Sequence, residues 1–437
     1  MGRKIVSEAF VTNITSSWLS ESFTVSPDNK RVAYVARYRK WLFLRRWFAV
    51  VDGQAGNQYS RIGKLIFSPD SRRVAYPAAT AIEAFVVIDG LAGKFYTTIW
   101  EGLTFSPDSQ RVAYGVAMED KSFVVVDGQE GKPYDALLLN PVFSSDSQRV
   151  AYGAQLRNKS FVVVNEQEGK SYDSVGEFIF SPDSQRIAYG ARVDQKWVII
   201  IDGQEKKLYD ALLQHAFRFS PDNQRVAYGV QVGNKSLVIV DAKEGKPYNT
   251  LLFNPIFSPD SQRVAYGAQV GNKSLVIVDG QEGKPYDGLL KGTFVFSPDS
   301  QRFAYRARLG NKSLVIVDGQ EQKPYNSVGE LTFSPDSQRV AYGARVGKKF
   351  FVVDEQEGKR YDDLGPLTFS PDSQRIAYRA RLGKKEFVVV DDHEGESYDA
   401  IVYMGGGRIV FETADYFYYL ARRGDDIYLV AERITSP

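Results

Sequence analysis

The chain has 437 residues, 43% of them hydrophobic and 25% charged, with a formal net charge of only +2. That balance excludes a polycation binding nucleic acid by bulk charge, so nucleic acid is not the expected partner and any electrostatic partner must be met by a local patch. The absence of Cys excludes disulfide frames, thiol nucleophiles and thiolate metal sites.

The first residues, Met1-Gly2-Arg3-Lys4 followed by Ile5-Val6-Ser7-Glu8-Ala9-Phe10-Val11, contain no apolar core of signal-peptide length. No run approaches the ~18 apolar residues of a membrane span. Read as it stands, the chain is expected in the cytoplasm with no membrane contact. From Ser26 onward a phrase close to F-S-P-D-S-Q-R-V-A-Y recurs, with its Asp at Asp28, Asp70, Asp108, Asp146, Asp183, Asp222, Asp260, Asp299, Asp336 and Asp372. Successive copies are 36 to 42 residues apart. A period of this size marks stacked supersecondary units. No Pro/Ser-rich linker breaks the series, so residues 1–437 read as one domain.

The copy at residues 329–362 serves for the local reading. Leu331-Thr332-Phe333 is a short strand, and Ser334-Pro335-Asp336-Ser337 a turn in which Pro presets φ while Ser and Asp bond nearby amides. Arg339-Val340-Ala341-Tyr342-Gly343-Ala344 alternates large and small residues, as a strand packed on both faces does. A Gly/Lys hairpin leads to Phe350-Phe351-Val352-Val353, an apolar run that suits a strand covered on both sides. Glu355-Gln356-Glu357-Gly358 then turns the chain into a fourth, more polar strand around Tyr361. Four short strands per repeat make one propeller blade.

The F-S-P-D-S-Q-R-V-A-Y phrase, followed by an apolar strand ending in Asp-Gly, resembles the WD40-like repeat of TolB-type propellers. The resemblance covers nearly the whole chain and implies a propeller. It implies no single function, because that family includes scaffolds, partner-binding domains and the non-catalytic domains of peptidases. The chain departs from the family in its larger number of repeats and in lacking an appended hydrolase or TolB-like N-terminal domain.

Ten clear copies and a degenerate one at residues 408–432 predict a single closed all-β propeller of about eleven four-stranded blades. Ten blades, or two smaller propellers in tandem, are the alternatives. The last copy runs out at Ile434-Thr435-Ser436-Pro437, after its third strand. Residues 1–20, through Ile5 to Val11, are therefore expected to supply the outer strand of the last blade, which makes first and last blades neighbours.

Strand order places the SPDSQ and DGQEGK turns on a first face. The second face carries the hairpin after A-Y-G-A-R and the connector between blades. Copies differ on that second face, at residues 38–47, Met118-Glu119-Asp120, Gln214-His215 and Phe253-Asn254. Variable loops on a rigid scaffold are where recognition usually lives, although such loops also drift. Its hairpins repeat Lys121, Lys159, Lys196, Lys235, Lys273, Lys312, Lys349 and Lys385, with Arg157, Arg192, Arg308, Arg345 and Arg381 beside them. A basic ring would favour an anionic partner, while the bland reading is a solvated Lys that protects blade edges. In the first blade Arg37, Arg39, Lys40, Trp41, Arg45, Arg46 and Trp47 form the candidate binding surface, since Arg and Trp recur at binding hot spots. The residues from Leu42 onward belong to the third strand.

Only His215 and His393 exist, far apart, so neither a Ser-His-Asp triad nor a His metal site is expected. No cofactor or metal is expected either, and no phosphate-binding Gly loop occurs. The acidic stretch Asp391-Asp392-His393-Glu394-Gly395-Glu396 reads as a solvated hairpin before a loose cation site, and Arg423-Gly424-Asp425 as a hairpin before an integrin-type tripeptide. The leading expectation is a non-catalytic monomer that binds an unidentified protein or anionic ligand through the variable basic face and channel mouth. The alternatives are a lyase- or glycosidase-type enzyme with channel carboxylates such as Glu177 and Glu330, and a purely structural, self-associating repeat protein.

Overall fold

Each copy of the repeat folds as a four-stranded antiparallel meander, here labelled A to D from the inside of the ring outward. In the fourth copy these strands are Ala136–Phe143, Val150–Leu156, Lys159–Val164 and Gln167–Glu168. The structure, a computed structural model, describes residues 2–14, 17–39, 45–100, 102–213, 217–290, 292 and 294–435. Eleven such blades form a ring, the arrangement of an eleven-bladed β-propeller. In blades 2, 3, 6, 8 and 11 strand A is broken into two short segments.

The A–B turn shows why the phrase is repeated so closely. Ser144 Oγ donates to Asp146 at 2.5 Å and accepts the Arg149 N–H at 2.9 Å, closing the turn. Ser147 follows in the left-handed region (φ 64°), and its hydroxyl accepts the N–H of Asp108 from the preceding blade at 3.0 Å. Arg111 of that blade donates to its own Asp127 at 2.9 Å and to the Ser147 carbonyl at 3.2 Å, with its guanidinium over Phe143. Turn and seam are therefore made by the same residues.

Strand B explains the alternation of size. Val112, Tyr114 and Val116 face the preceding blade, whereas Ala113 packs beneath Tyr134, Tyr152 and Phe161 at the following seam. Each blade thus offers a thin face forward and a bulky face backward, and the two interlock at the density of a protein interior. The Tyr side chains are almost wholly buried, and burial pushes the hydroxyls of Tyr76 and Tyr342 up to about 12. Eleven such core clusters lie one at each seam.

The seam between the last and first blades contains Phe23, Val25 and Tyr34 against Val402, Leu420 and Ile427. Blade 11 takes its C strand from Asp426–Thr435 and its D strand from the other end of the chain, Gly2–Asn13, antiparallel from Gly2↔Thr435 to Asn13↔Asp426. A buried ion pair fastens this join. Arg3 meets Glu432 at 2.8 Å, with side chains 7% and 2% exposed. Arg3 also donates to the carbonyls of Val388 and His393 in blade 10, while Tyr419 donates to Glu432 at 2.6 Å.

Among the described residues no helix is long and apolar enough to cross a membrane.

Candidate functional site

The second face is built from the B–C hairpins and the connectors from strand D to the next strand A. Six of the eight repeated hairpin lysines are paired with an Asp at the end of strand D of their own blade. Lys121–Asp135, Lys159–Asp173, Lys273–Asp287, Lys349–Asp362 and Lys385–Asp399 lie at 2.6 to 2.8 Å, and Lys196–Asp210 completes the set. At Lys235 and Lys312 the corresponding D-strand residues are Asn249 and Asn326. Most of the lysines in the basic ring are therefore paired within their own blades, whereas Arg157, Arg192, Arg308, Arg345 and Arg381 beside them make no ion pair among the described residues.

The same Asp or Asn also reaches forward. Its second oxygen accepts a hairpin N–H of the next blade: Arg157 to Asp135 at 2.7 Å, Asp194 to Asp173 at 2.7 Å, and Gly310 to Asp287 at 2.6 Å. Asn249 and Asn326 keep this bond to Gly271 and Gly347. The Lys and amide partners hold the carboxyl groups of Asp135, Asp173 and Asp287 below the usual carboxylate range. This staple closes every second-face seam from blades 3/4 to 10/11. Ser60 and Thr97 hold the corresponding positions in blades 1 and 2, and among the described residues neither makes it.

The divergent sector also carries the hairpin singled out from the sequence. Arg37 pairs across it with Trp47, and its guanidinium lies 5.8 Å from the indole centroid. Trp47 is half-buried and packs on the cluster of Tyr59, Leu65, Tyr76 and Phe85, so it is core as much as surface. Arg46 donates to the Ser60 hydroxyl at 3.4 Å. Arg39 and Arg45 pair as strand residues, and Lys40 and Trp41 lie outside the described residues, as do Leu42 to Leu44. The third strand is described from Arg45.

Next to this hairpin a cleft of about 980 Å³ opens on the second face. Its walls are the blade 2 hairpin (Thr80 to Ala84), the connector into blade 2 (Ser60, Arg61, Gly63, Lys64) and the connector into blade 3 (Thr97 to Trp100), with Asn140 at its inner end. Gly102 lets the second connector pass Asn140: its φ is +108°, and a Cβ there would lie 2.3 Å from the Asn140 side chain. Ile82 is 84% exposed and Trp100 40%. Sequence reading passed over this cleft. The signals were present in Glu83, where other hairpins carry Lys, and in Pro77, where most blades carry Gly.

The remaining candidates fall into the framework. Asp391 accepts the Ile376 N–H, Tyr378 donates to Asp392, and Glu394 pairs with Lys359. His393 Nδ1 lies 2.7 Å from the Asp391 carbonyl, and His215 and Gln214 lie outside the described residues. Arg423 pairs with Glu8, and the Gly424 N–H is held by Asp399, so that tripeptide belongs to the closure. Phe253 stacks edge-on against Phe294 at the blade 7/8 seam. Glu177 and Glu330 lie on strand A of blades 5 and 9, four blades apart. Beside Glu330 sits the buried Arg306, whose pKa burial lowers and the Glu330 charge raises. A half-buried cation, Arg379 in blade 10, is satisfied by Glu386 at 2.5 Å and Asp363 at 2.9 Å.

No family model matches the chain. No curated protein matches it either. Among solved structures it is similar to a eukaryotic initiation factor, with 14% identity and a TM-score of 0.40 over 86% of this chain and 96% of that one. It is also similar to TolB from Acinetobacter baumannii (15% identity, TM-score 0.26, 57% of this chain and 78% of that one). A third is the β-propeller domain of the Trilobed protease from Pyrococcus furiosus (13% identity, TM-score 0.30, 62% of this chain and 97% of that one), described as having an open velcro topology.

Proposed function

We propose that the chain is a non-catalytic binding propeller that holds a protein or anionic partner on its second face, at the sector of blades 1 and 2. One observation carries the reading: the staples that close the second-face seams of blades 3 to 10 are missing there. Arg37 and Arg46 stand in that sector without carboxylate partners among the described residues. Cations left unpaired beside an open seam focus the field locally. The candidate channel acids Glu177 and Glu330 stand four blades apart, which favours binding over two-carboxylate chemistry.

The test uses poly-L-glutamate as an anionic probe on a column developed with a salt gradient. The doubly reversed variant R37E/R46E is expected to elute at clearly lower salt than wild type. The variant K235E/K312E, which changes net charge equally on the opposite arc, should stay near the wild-type position. Equal shifts for both would remove the sector assignment.

A further inference from the structure

The cleft between the blade 2 hairpin and the connector into blade 3 differs from the rest of the molecule in three independent ways. Its position is the first. From blade 3 to blade 10 an Asp or Asn at the end of strand D fills the second-face seam and ties it to the next hairpin, but Ser60 and Thr97 are too short to do so. The seam stays open and leaves about 980 Å³, within the range of sites that enclose a small organic molecule.

The lining is the second. Pro77, Ile82 and Trp100 present apolar surface at the cleft, and Ile82 is the most exposed of the large hydrophobic residues. An exposed isoleucine beside a half-exposed indole is apolar area still open to be covered, worth roughly 25 cal/mol per Å² on burial. The hairpin bearing Ile82 is held by bonds of its own. Thr80 N–H donates to the Glu83 carbonyl at 2.8 Å, and the Glu83 N–H donates to the Thr80 hydroxyl at 3.2 Å. The apolar wall is thus in place before a ligand arrives, which reduces the ordering cost of binding.

Charge is the third. Arg61 and Lys64 line the same cleft, and among the described residues neither makes an ion pair. This sets them apart from the hairpin lysines that Asp residues neutralise. Glu83 is the one acid among the described lining residues. Two cations beside an apolar wall match a ligand that has one anionic end and an apolar body. The Asn140 amide and the hydroxyls of Thr97 and Thr98 stand in the lining to orient polar substituents.

We infer that this cleft binds a small organic anion, an apolar ring system carrying a carboxylate or phosphate. The apolar body lies against Pro77, Ile82 and Trp100, and the charge meets Arg61 and Lys64. The site uses residues separate from the hairpin cations and stands whether or not a macromolecular partner docks there.

Isothermal titration calorimetry of the full chain tests it with 2-naphthoate, its neutral analogue 2-naphthalenemethanol, and naphthyl phosphate. The expected result is saturable one-to-one binding of the anions, about tenfold or more tighter than the neutral analogue. R61Q/K64Q should remove that preference while leaving the weak neutral binding, and W100A should weaken all three probes. The phosphate and carboxylate arms show which head group the two cations favour. Circular dichroism confirms that the variants fold, and I82D offers a second probe of the apolar wall from a fully exposed position. No saturable binding, equal binding of anion and neutral analogue, or naphthoate binding unchanged in R61Q/K64Q would each overturn the assignment. Charge-reversed R37E, at a residue outside the cleft lining, separates this site from the proposed partner surface. Loss of poly-L-glutamate retention with naphthoate binding intact tells against neither reading's residues, whereas naphthoate failing in wild type overturns the cleft alone.

Discussion

Blades 3 to 10 and the sector of blades 11, 1 and 2 bury the same kind of core but hold their seams with different polar bonds. In the repeated arc three latches recur. On the first face an Arg bridges its own blade's Asp and the next blade's turn, as Arg225 does with Asp241 and the Ser261 carbonyl. At the rim a Lys and a Tyr converge on one Glu of the next blade, as Lys246 and Tyr248 do on Glu282 at 2.6 and 3.0 Å. The second face has the Asp staple. The seam between blades 1 and 2 keeps only the first of these, in Arg31 with Asp52 and the Ser71 carbonyl, because Asn57, Ala92 and Ser60 replace the other partners. Blade 11 joins the two ends of the chain by a buried pair, Arg3 with Glu432, and meets blade 1 through other bonds, Arg408 to Asn29 and Pro27 and Tyr418 to the Asp28 carbonyl. Surface pairs each contribute little, so the repeated arc owes its rigidity to redundancy and the closing blade to one expensive contact. The contrast teaches that the residues that make the copies alike are also the ones that close the seams, so the seam whose copies diverge is left open on the second face.

Acid should separate the two regions most strongly. The staple carboxyls Asp135, Asp173, Asp210, Asp287 and Asp362, which blades 1 and 2 lack, lie below the usual range because a Lys and a hairpin N–H bond the charged form. Since their folded pKa is below the ordinary value of 3.8, the stability they contribute is fully present above it and is lost as pH falls through the folded values. Thermal unfolding should hold its midpoint from neutrality to about pH 5 and fall steeply below the ordinary carboxylate range. Hydrogen exchange should show the repeated arc losing protection over that interval. Next in size, Arg3→Met should cost about 3–5 kcal/mol in denaturant unfolding by leaving Glu432 buried and unpaired. Arg3→Met with Glu432→Leu should recover much of that loss.

A smaller effect tests the equivalence of the copies. Ser109→Ala and Ser300→Ala each strip the acceptor from a neighbouring Asp N–H, Asp70 and Asp260 respectively. Each should cost about 1–2 kcal/mol, and the two values should agree. The smallest change sharpens the contrast from the other side. Ser60→Asp offers the missing carboxylate to the blade 2 hairpin and should raise the melting temperature by about 1–2 °C. It should also slow amide exchange in residues 80–84.

Strands and ring were legible because each copy repeats the same turn chemistry, and because Ile434 ends the last copy one strand short. The lysines were legible as charges but not as pairs. Their partners lie on another strand, so each hairpin read alone looks basic, although the Asp after each D-strand Tyr (Tyr134-Asp135, Tyr172-Asp173) recurs in step with the Lys. Trp47 was read as part of the candidate binding surface; its strand has to bury one side, and it packs half-buried on the core between blades 1 and 2. The cleft was beyond reach for a different reason. It is made of what Ser60, Thr97 and Glu83 fail to do, on three segments that meet only when the ring is assembled.

The Ser hydroxyl that accepts an N–H from the blade behind it has a consequence for how such a molecule grows. Each copy in the repeated arc carries a forward donor set and a backward acceptor set, so within that arc one copy can follow another, a head-to-tail contact in which one unit is competent at both ends. Duplicating or deleting one unit within the repeated arc would leave every latch with a partner and change only the share of the full turn that each blade must supply. Ring size in a molecule built this way would follow from unit copying, bounded by the single unrepeated blade whose two ends of chain must still meet.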